Sequence, residues 1–247
     1  MATFKQHVEA MTGLTFSGAS DTQRPNLTDL SIYLREGIKD VIYNVLRFSP
    51  PSAELFAVES TRKQNSDDFK VSSGVVLEVM RERAADEWRP ARKVAVSKQY
   101  LVTDVNSFDY ASSYNPVYIR DADNIIKVFP NYTSSESSLG FKVRYIDFSR
   151  YDGENFDLTY DTDLDMPGIK GYPQMFIPHL VNYGAIKSLT EYYHYSLKND
   201  EDLELAAGYI QTLKELKDNY DSMYLTKDIL MSTKQQQQQP ERARRRS

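Results

Sequence analysis

The stretch NPVYIRDADNIIKVFPNYT, residues 115–133, determines how the middle of this 247-residue chain folds. Two short runs rich in Val, Ile and aromatic residues flank Asp121–Asn124, and such runs around a turn-rich gap predict a β-hairpin. No side chain in the stretch belongs to a catalytic pattern. We expect this hairpin, residues 115–129, to be a contact surface, because its tip is polar while its strands are too apolar to stay in water.

Alternating patterns of the same kind extend through residues 51–150, which we predict to be the β region. In its last strand Phe141, Val143 and Tyr145 point to one face while Lys142 and Arg144 point to the other, as in a half-buried antiparallel strand. Further strands are predicted in ELFAVES, in FKVSSGVVLEVMRER and in KVAVSKQYLV (93–102). Together they predict a central antiparallel β-sheet or sandwich.

Helical periodicity precedes this β region. Over residues 27–50 one apolar stripe predicts an N-terminal helix, which either Asn26 or Thr28 could cap. Gly37 lies inside this helix, where it permits a close approach by another backbone or is simply a tolerated defect. The stripe consists of Leu27, Leu30, Leu34, Ile38, Val41, Ile42 and Val45.

Residues 175–226 show the same period twice, which predicts two helices separated by the short turn NDED. So short a turn implies that the two helices are antiparallel. The stripe of the second helix consists of Leu203, Ala206, Tyr209, Ile210, Leu213, Leu216, Tyr220 and Met223. The predicted fold class is α+β: the N-terminal helix and the C-terminal antiparallel helix pair form a small bundle, with the β-sheet or sandwich between them in sequence.

Three segments do not fit this core. Residues 1–26 predict a flexible N-terminal arm, residues 151–174 an acidic linker, and residues 227–247 a disordered Gln/Arg tail. The formal net charge is −5; the last fourteen residues hold five Lys/Arg and one Glu, so they carry +4 and leave −9 on the rest. An acidic body is not that of a general nucleic-acid binder.

Several function classes find no support in the residues. The chain has no cysteine, no G-x-S-x-G serine and no phosphate-binding loop, so we predict neither catalytic nor cofactor-binding residues. Asp161, Asp163 and Asp165 alternate like calcium ligands, but the Gly and Glu that should follow are Met166 and Tyr172, so we predict no metal site. No segment reaches the ~18 apolar residues of a membrane span, and no signal peptide is evident.

Candidate partner-binding residues lie in three places. Trp88 and Arg89 belong to the most basic segment of the body, residues 81–98, where an exposed Trp–Arg pair would suit a binding hot spot. The alternative, that Trp88 packs on its own sheet, remains open. The hairpin supplies Tyr118, Asp121 and Asp123, and the tail supplies Arg242, Arg244, Arg245 and Arg246. The dense charge of the tail would dock on an acidic protein or on DNA.

The order of these elements resembles that of the head-to-tail adaptor, neck or connector proteins of tailed bacteriophages. The similarity covers roughly residues 27–225 and lies in TDLSIYLREGIKDVI, in the hairpin with its following strand FKVRYI, and in IPHLVNYGAIKSLTEYY. The resemblance implies a virion structural protein without enzymatic activity, made in the host cytoplasm. It further implies a ring of identical subunits at the head–tail junction that contacts the portal protein and the tail or next connector ring. Genomic DNA would pass through this ring without specific binding.

Other classes of function remain open. Another virion structural or tail-completion protein would show the same order of elements. A nucleic-acid-binding protein would place its affinity in Arg242–Arg246. A carboxylate-dependent hydrolase would bind a divalent cation at Asp161–Asp165.

Overall fold

The computed structural model describes residues 3–16, 25–64, 69–133, 136, 138–151, 172–199 and 207–224. It confirms the α+β fold class. In chain order the elements are α1 (Phe4–Thr12), α2 (Leu27–Phe48), β1 (Ala57–Glu59), β2 (Phe69–Lys70), β3 (Gly74–Ala84), β4 (Glu87–Pro90), β5 (Arg92–Lys93), α3 (Gln99–Thr103), β6 (Val117–Arg120), β7 (Ile125–Phe129), β8 (Phe141–Asp147), α4 (Ile177–Asn199) and α5 (207–224). They divide into two compact units: the helical unit, residues 1–56 and 150–247, and the sheet unit, residues 57–149.

Helix α2 is the longest element of the N-terminal part, and its start is set by a capping box. The side-chain oxygen of Asn26 accepts hydrogen bonds from the backbone N–H groups of Thr28 and Asp29, at 2.9 and 3.1 Å. The Asp29 carboxylate accepts the N–H of Asn26 in return at 2.9 Å. These bonds satisfy backbone groups that the first turn leaves without an intrahelical partner, so Asn26 is the cap.

Helices α2 and α4 pack closely because a glycine lies on each side of their contact. A Cβ atom on Gly37 would lie 2.8 Å from Tyr183 Cδ1, and one on Gly184 would lie 2.9 Å from Leu34 Cδ2. Both distances are shorter than real Cβ contacts, so a larger residue at either position would have to displace the facing side chain. The glycine inside α2 therefore serves a close approach.

Helix α5 completes an antiparallel pair with α4. Ring contacts join Tyr192 to Tyr209, Tyr183 to Tyr220 and His179 to Tyr224, so residue numbers rise along one helix as they fall along the other. This confirms the predicted C-terminal helix pair. The stripe assignment of Ile210 was wrong, because its side chain is exposed; the buried positions of α5 are Leu216, Tyr220 and Tyr224.

The N-terminal arm needs a correction. Residues 4–12 form helix α1, which is capped by Thr3 and ended by Gly13 in the left-handed conformation. Phe4, Val8 and Phe16 are buried, and α1 packs against α4. The helix begins at a capping box, in which Thr3 and Gln6 exchange hydrogen bonds, and its apolar residues then pack on α4.

Two four-stranded sheets make up the sheet unit. The first has the order β1-β8-β3-β4 and is antiparallel throughout; the second has the order β2-β7-β6-β5, with β5 and β6 parallel. The predicted hairpin is β6–β7, in which Val117 pairs with Phe129 and Arg120 with Ile126. Because β2 and β5 flank it, the hairpin lies in the centre of its sheet.

The hairpin is buried on both faces. One face joins a core cluster that includes Tyr118, Ile126 and Val128 of the hairpin together with Val79, Phe141 and Val143 of the first sheet. The other face places Val117, Ile119 and Phe129 under Val94, Val102 and Ala111. The expectation that the apolar strands must find a partner outside the subunit is therefore wrong, because the sheet unit itself covers them.

The run at residues 93–102 is also corrected. Only Arg92 and Lys93 are in a strand, and the chain continues as a 3₁₀ turn at Val96–Lys98 and helix α3. Val94 and Val102 are buried whereas Val96 is exposed. The residues that contact the core therefore do not alternate, so the strand pattern in this run was coincidental.

The acidic linker lies outside the described residues except at Tyr151 and at Tyr172–Gln174. The predicted tail, with its four arginines, lies entirely outside them, and so does Asp161–Asp165. Among the helices that are described, none has the length and apolar character required to cross a bilayer.

Candidate functional site

The exposed apolar surface of the sheet unit is concentrated in one segment. Within its described residues, every large hydrophobic side chain that is exposed belongs to residues 96–114, which we call the aromatic segment. The side chains are Val96, Tyr100, Val105, Phe108, Tyr110 and Tyr114. Exposed apolar side chains collected in one place are a recognised feature of protein-binding surfaces.

The aromatic segment folds into a closed loop over the hairpin. Helix α3 is followed by a turn in which the Asp104 carboxylate accepts the N–H of Asn106 at 2.9 Å. The N–H of Ala111 then donates to the carbonyl of Val102 at 2.9 Å, which closes the loop. Val102 and Ala111 are buried against the hairpin, so the inner side of the loop is anchored while its aromatic side chains face outward.

Charged contacts hold the loop to its neighbours. Arg92 Nη1 lies 2.8 Å from Asp109 Oδ1, and Lys98 Nζ lies 3.7 Å from Asp109 Oδ2. The hydrogen bond from Arg92, aided by the charge of Lys98, holds the pKa of the Asp109 carboxyl below its ordinary value. The loop is thus joined to strand β5 through Arg92 as well as through its apolar anchors.

Tyr114, at the other end of the segment, is held by an arginine. The guanidinium of Arg83 lies 4.0 Å from the centroid of the Tyr114 ring, and its Nη2 donates to the Tyr114 hydroxyl at 2.8 Å. Arg83 also pairs with Glu87 at 2.7 Å. An aromatic ring already fixed in this way loses little conformational entropy when it binds a partner.

Trp88 and Arg89, two of the predicted binding residues, lie on strand β4. Cations of the same unit approach the Trp88 ring: Arg62 at 5.6 Å and Lys142 Nζ at 4.7 Å from its centroid. Arg89 Nη2 donates to Glu87 at 2.8 Å, and this bond, followed by that of Arg83, lowers the pKa of the Glu87 carboxyl. The partly buried Trp88 therefore packs on its own sheet, as the alternative reading held.

Tyr118 is not a surface residue, contrary to the prediction. Its side chain is buried in the core cluster shared by the two sheets, and this burial raises the pKa of its hydroxyl. In a strand of the hairpin, successive side chains point to opposite faces, and here both faces are covered. A residue in this position stabilises the unit and cannot contact a partner.

Asp121 and Asp123 lie at the tip of the hairpin and differ in role. Asp121 Oδ1 accepts the backbone N–H groups of Asp123 and Ile125, at 3.1 and 2.9 Å. Its other oxygen lies 3.1 Å from Lys127 Nζ. Asp123 contributes only its backbone to these bonds, and its side chain is exposed. Asp121 therefore shapes the turn, whereas the side chain of Asp123 is accessible to a partner.

The aromatic segment was not among the residues singled out from the sequence. A usable signal is the density of aromatic residues between residues 100 and 114, interspersed with Asn, Ser and Asp at neither the strand nor the helix period. Aromatic residues without a periodic pattern have no common buried face. Such a run is consistent with exposure.

Comparisons with known proteins do not extend this picture. No protein-family model matches the chain, and no curated protein matches it significantly.

Among the described residues, no three His, Cys, Asp or Glu side chains come together as a set of metal ligands.

Proposed function

We propose that this chain is a structural subunit of an oligomeric ring in the head-to-tail connector of a tailed bacteriophage. The ring would join the portal protein to the tail or to a further connector ring at the neck of the virion. Genomic DNA would pass through its lumen, and the subunit would act by assembly without turnover.

The observation that carries the proposal is the ordered and exposed aromatic segment. Tyr, Phe and Arg are enriched in protein interfaces, and here Tyr100, Phe108 and Tyr114 lie outward while Arg83 and Arg92 hold the segment in place. A surface that is ordered before binding is suited to repeated assembly, because each contact forms at a lower entropic cost. Together with the resemblance in element order, this favours a protein that works through subunit contacts.

The distribution of charge is compatible with a passage for DNA. The sheet unit contains thirteen Lys/Arg and thirteen Asp/Glu, so it is neutral, and the −9 outside the last fourteen residues belongs to the helical unit. Acidic surface repels phosphates, so DNA could slide past it without being retained. The basic tail offers a separate contact for an acidic partner such as the portal.

The proposal is tested by native mass spectrometry and electron microscopy of the purified protein, alone and with the portal protein of the same virus. We expect closed rings, or rings that form on the portal, with a single stoichiometry. Antibody labelling of virions should place the protein at the neck. A protein that stays monomeric in both samples and is missing from virions would refute the proposal.

A gel-shift measurement separates the nucleic-acid-binding alternative. The full chain should bind duplex DNA only weakly, and truncation after Thr233 should remove most of that binding. If the full chain instead binds DNA tightly with a steep salt dependence while forming no ring, the alternative replaces the proposal.

A further inference from the structure

We propose that the aromatic segment of one subunit binds the outward face of helix α2 on a second copy of the chain. The inference rests on the proposed ring assembly and adds which two surfaces join. Its support comes from the size of the segment, the pairing of its charges and the presence of a second exposed apolar face on the same chain.

The aromatic segment is large enough to form the centre of a protein interface. Tyr100, Phe108 and Tyr114 expose 70%, 106% and 66% of their surface. At the area such side chains bury, the three offer roughly 400–500 Å², against the ~800 Å² that each partner contributes to a standard interface. A patch of this size fits a folded protein surface better than a small ligand.

The charges around the segment favour a protein partner over nucleic acid. The neighbouring arginines are already paired: Arg83 and Arg89 with Glu87, and Arg92 with Asp109. Since DNA affinity depends on cations that neutralise phosphates, arginines paired in this way add little to DNA binding. The exposed rings then contribute mainly apolar contact, which a protein surface provides.

Helix α2 presents a second face with exposed apolar side chains. Ile32 and Tyr43 are 48% and 56% exposed. They are eleven residues apart, which is close to three helical turns, so both lie on the same side of α2. Glu36 and Lys39 lie between them on the same side of the helix; the side chain of Glu36 is more than half exposed, and Lys39 is partly buried.

Charge complementarity links the two faces. Lys98, itself part of the aromatic segment, is more than half exposed and makes a long contact of 3.7 Å with Asp109. Glu36 on α2 likewise makes a long contact of 3.9 Å with Lys187. Across an interface, Lys98 of one copy can leave Asp109, and Glu36 of the other copy can leave Lys187, so that the two pair with each other. This pairing would place the rings of the aromatic segment on Ile32 and Tyr43.

Two different faces on one chain give a contact that repeats. If the aromatic segment of each subunit binds α2 of the next, every copy uses both faces and the contact propagates as a ring. A symmetric pairing of two aromatic segments would bury that patch but leave the α2 face exposed. The head-to-tail contact therefore covers more apolar surface.

The absence of cysteine allows a direct test by disulfide trapping. Phe108→Cys and Tyr43→Cys proteins are prepared separately, mixed and oxidised mildly. We expect a disulfide-linked pair in the mixture and none in either protein alone. Tyr195→Cys, at another exposed aromatic position of the helical unit, is the matched control and should not link to Phe108→Cys. Linkage of Phe108→Cys to itself would overturn the inference in favour of symmetric pairing.

A second measurement follows self-association by analytical ultracentrifugation. Phe108→Ser should keep the circular dichroism spectrum of the wild type, since the side chain is fully exposed, but weaken assembly at least ten-fold. Ile210→Ser, at an exposed site of α5, should assemble as the wild type does.

The outcomes separate this inference from the proposed function. Rings that form equally well with Phe108→Ser would overturn the inference and leave the connector proposal standing. If Phe108→Ser assembles as the wild type does but binds less DNA in a gel shift, the segment contacts nucleic acid instead. A wild-type protein that is monomeric with and without portal would overturn both.

Discussion

Tyr220 of α5 donates a 2.5 Å hydrogen bond to Asp40 Oδ2 of α2, and this bond ties together helices that are 180 residues apart in sequence. Asn44 donates to the same oxygen at 2.8 Å, and the hydroxyl of Tyr224 donates to that of Tyr220 at 2.9 Å. Burial raises the pKa of Tyr220 well above its ordinary value and that of Tyr224 to about 12. The tyrosines therefore remain neutral donors at physiological pH.

Tyr220→Phe should lower the free energy of unfolding by about 1–3 kcal/mol, because Asp40 loses a donor and Tyr224 loses its acceptor. Chemical denaturation followed by circular dichroism measures the change. Tyr224→Phe is the control, since it leaves the bond between Tyr220 and Asp40 intact and should cost less. Equal stability of Tyr220→Phe and wild type would mean that the bond contributes nothing.

Leu34→Asp should destabilise the helical unit by roughly 3–5 kcal/mol, since it places an unpaired charge between α2 and α4. Leu34 is buried where Gly184 approaches it. Ile210→Asp makes the same chemical change at an exposed position and should melt within a degree or two of wild type. Thermal denaturation of both variants distinguishes the two positions, and comparable losses would contradict the assignment of Ile210 to the surface.

Glu82 organises the polar interior of the sheet unit. Its fully buried carboxylate accepts from Arg62 Nη2 at 2.5 Å and from the backbone N–H groups of Asp86 and Gly140, at 3.0 and 3.1 Å. Glu82→Ala should cost about 3–5 kcal/mol, because it leaves buried donors without an acceptor. Glu87→Ala, which removes an exposed carboxylate that pairs with Arg83 and Arg89, is the control. A small effect of Glu82→Ala would show that water replaces the carboxylate.

Asp121→Ala should lower the melting temperature more than Asp123→Ala, because only the Asp121 side chain accepts backbone hydrogen bonds at the hairpin tip. The N–H of Ile125, together with Lys127, lowers the pKa of Asp121. A carboxyl whose pKa is lower in the folded state than in the unfolded state stabilises the fold when it is charged. This stabilisation is complete above the ordinary pKa near 4 and is lost as pH falls through the pKa of the folded state. The difference in melting temperature between the wild type and Asp121→Ala should thus shrink when the measurement is repeated at successively lower pH. A difference that does not depend on pH would show that the charge of Asp121 is unimportant.

Elements coded by local signals were predictable. The start of α2 follows, to within two residues, from the candidate caps Asn26 and Thr28 and from the stripe Leu27–Val45. The hairpin follows from two apolar runs around Asp121–Asn124. The cap and the turn act through hydrogen bonds between residues close in sequence, and the periodicity marks the side chains that distant segments then bury. The same logic predicted the antiparallel pair of α4 and α5 from the short turn between them.

The candidate site was not predictable in the same way. Tyr118 lies between Val117 and Ile119 in a strand, and Phe108 lies between Ser107 and Asp109 outside any period. Local pattern does not tell whether the same subunit or a partner covers a face of that strand. Tyr118 is buried because the first sheet covers one face of the hairpin. Phe108 is exposed because the loop that carries it is anchored by Val102 and Ala111 instead.

The sequence by itself thus determined the α+β class, the stripe of α2, the hairpin and the helix pair, while it left Asn26 and Thr28 as alternative caps. Tertiary structure decided that α1 packs against α4, that residues 96–102 are not a strand, and that the exposed apolar surface of the sheet unit lies on the loop that covers the hairpin. The physical reason is that capping and periodicity act between neighbours in sequence, whereas burial depends on which distant segments pair. Strand β5 reaches β6 across more than twenty residues, from Arg92 to Val117, and the loop between them places Phe108 at the surface.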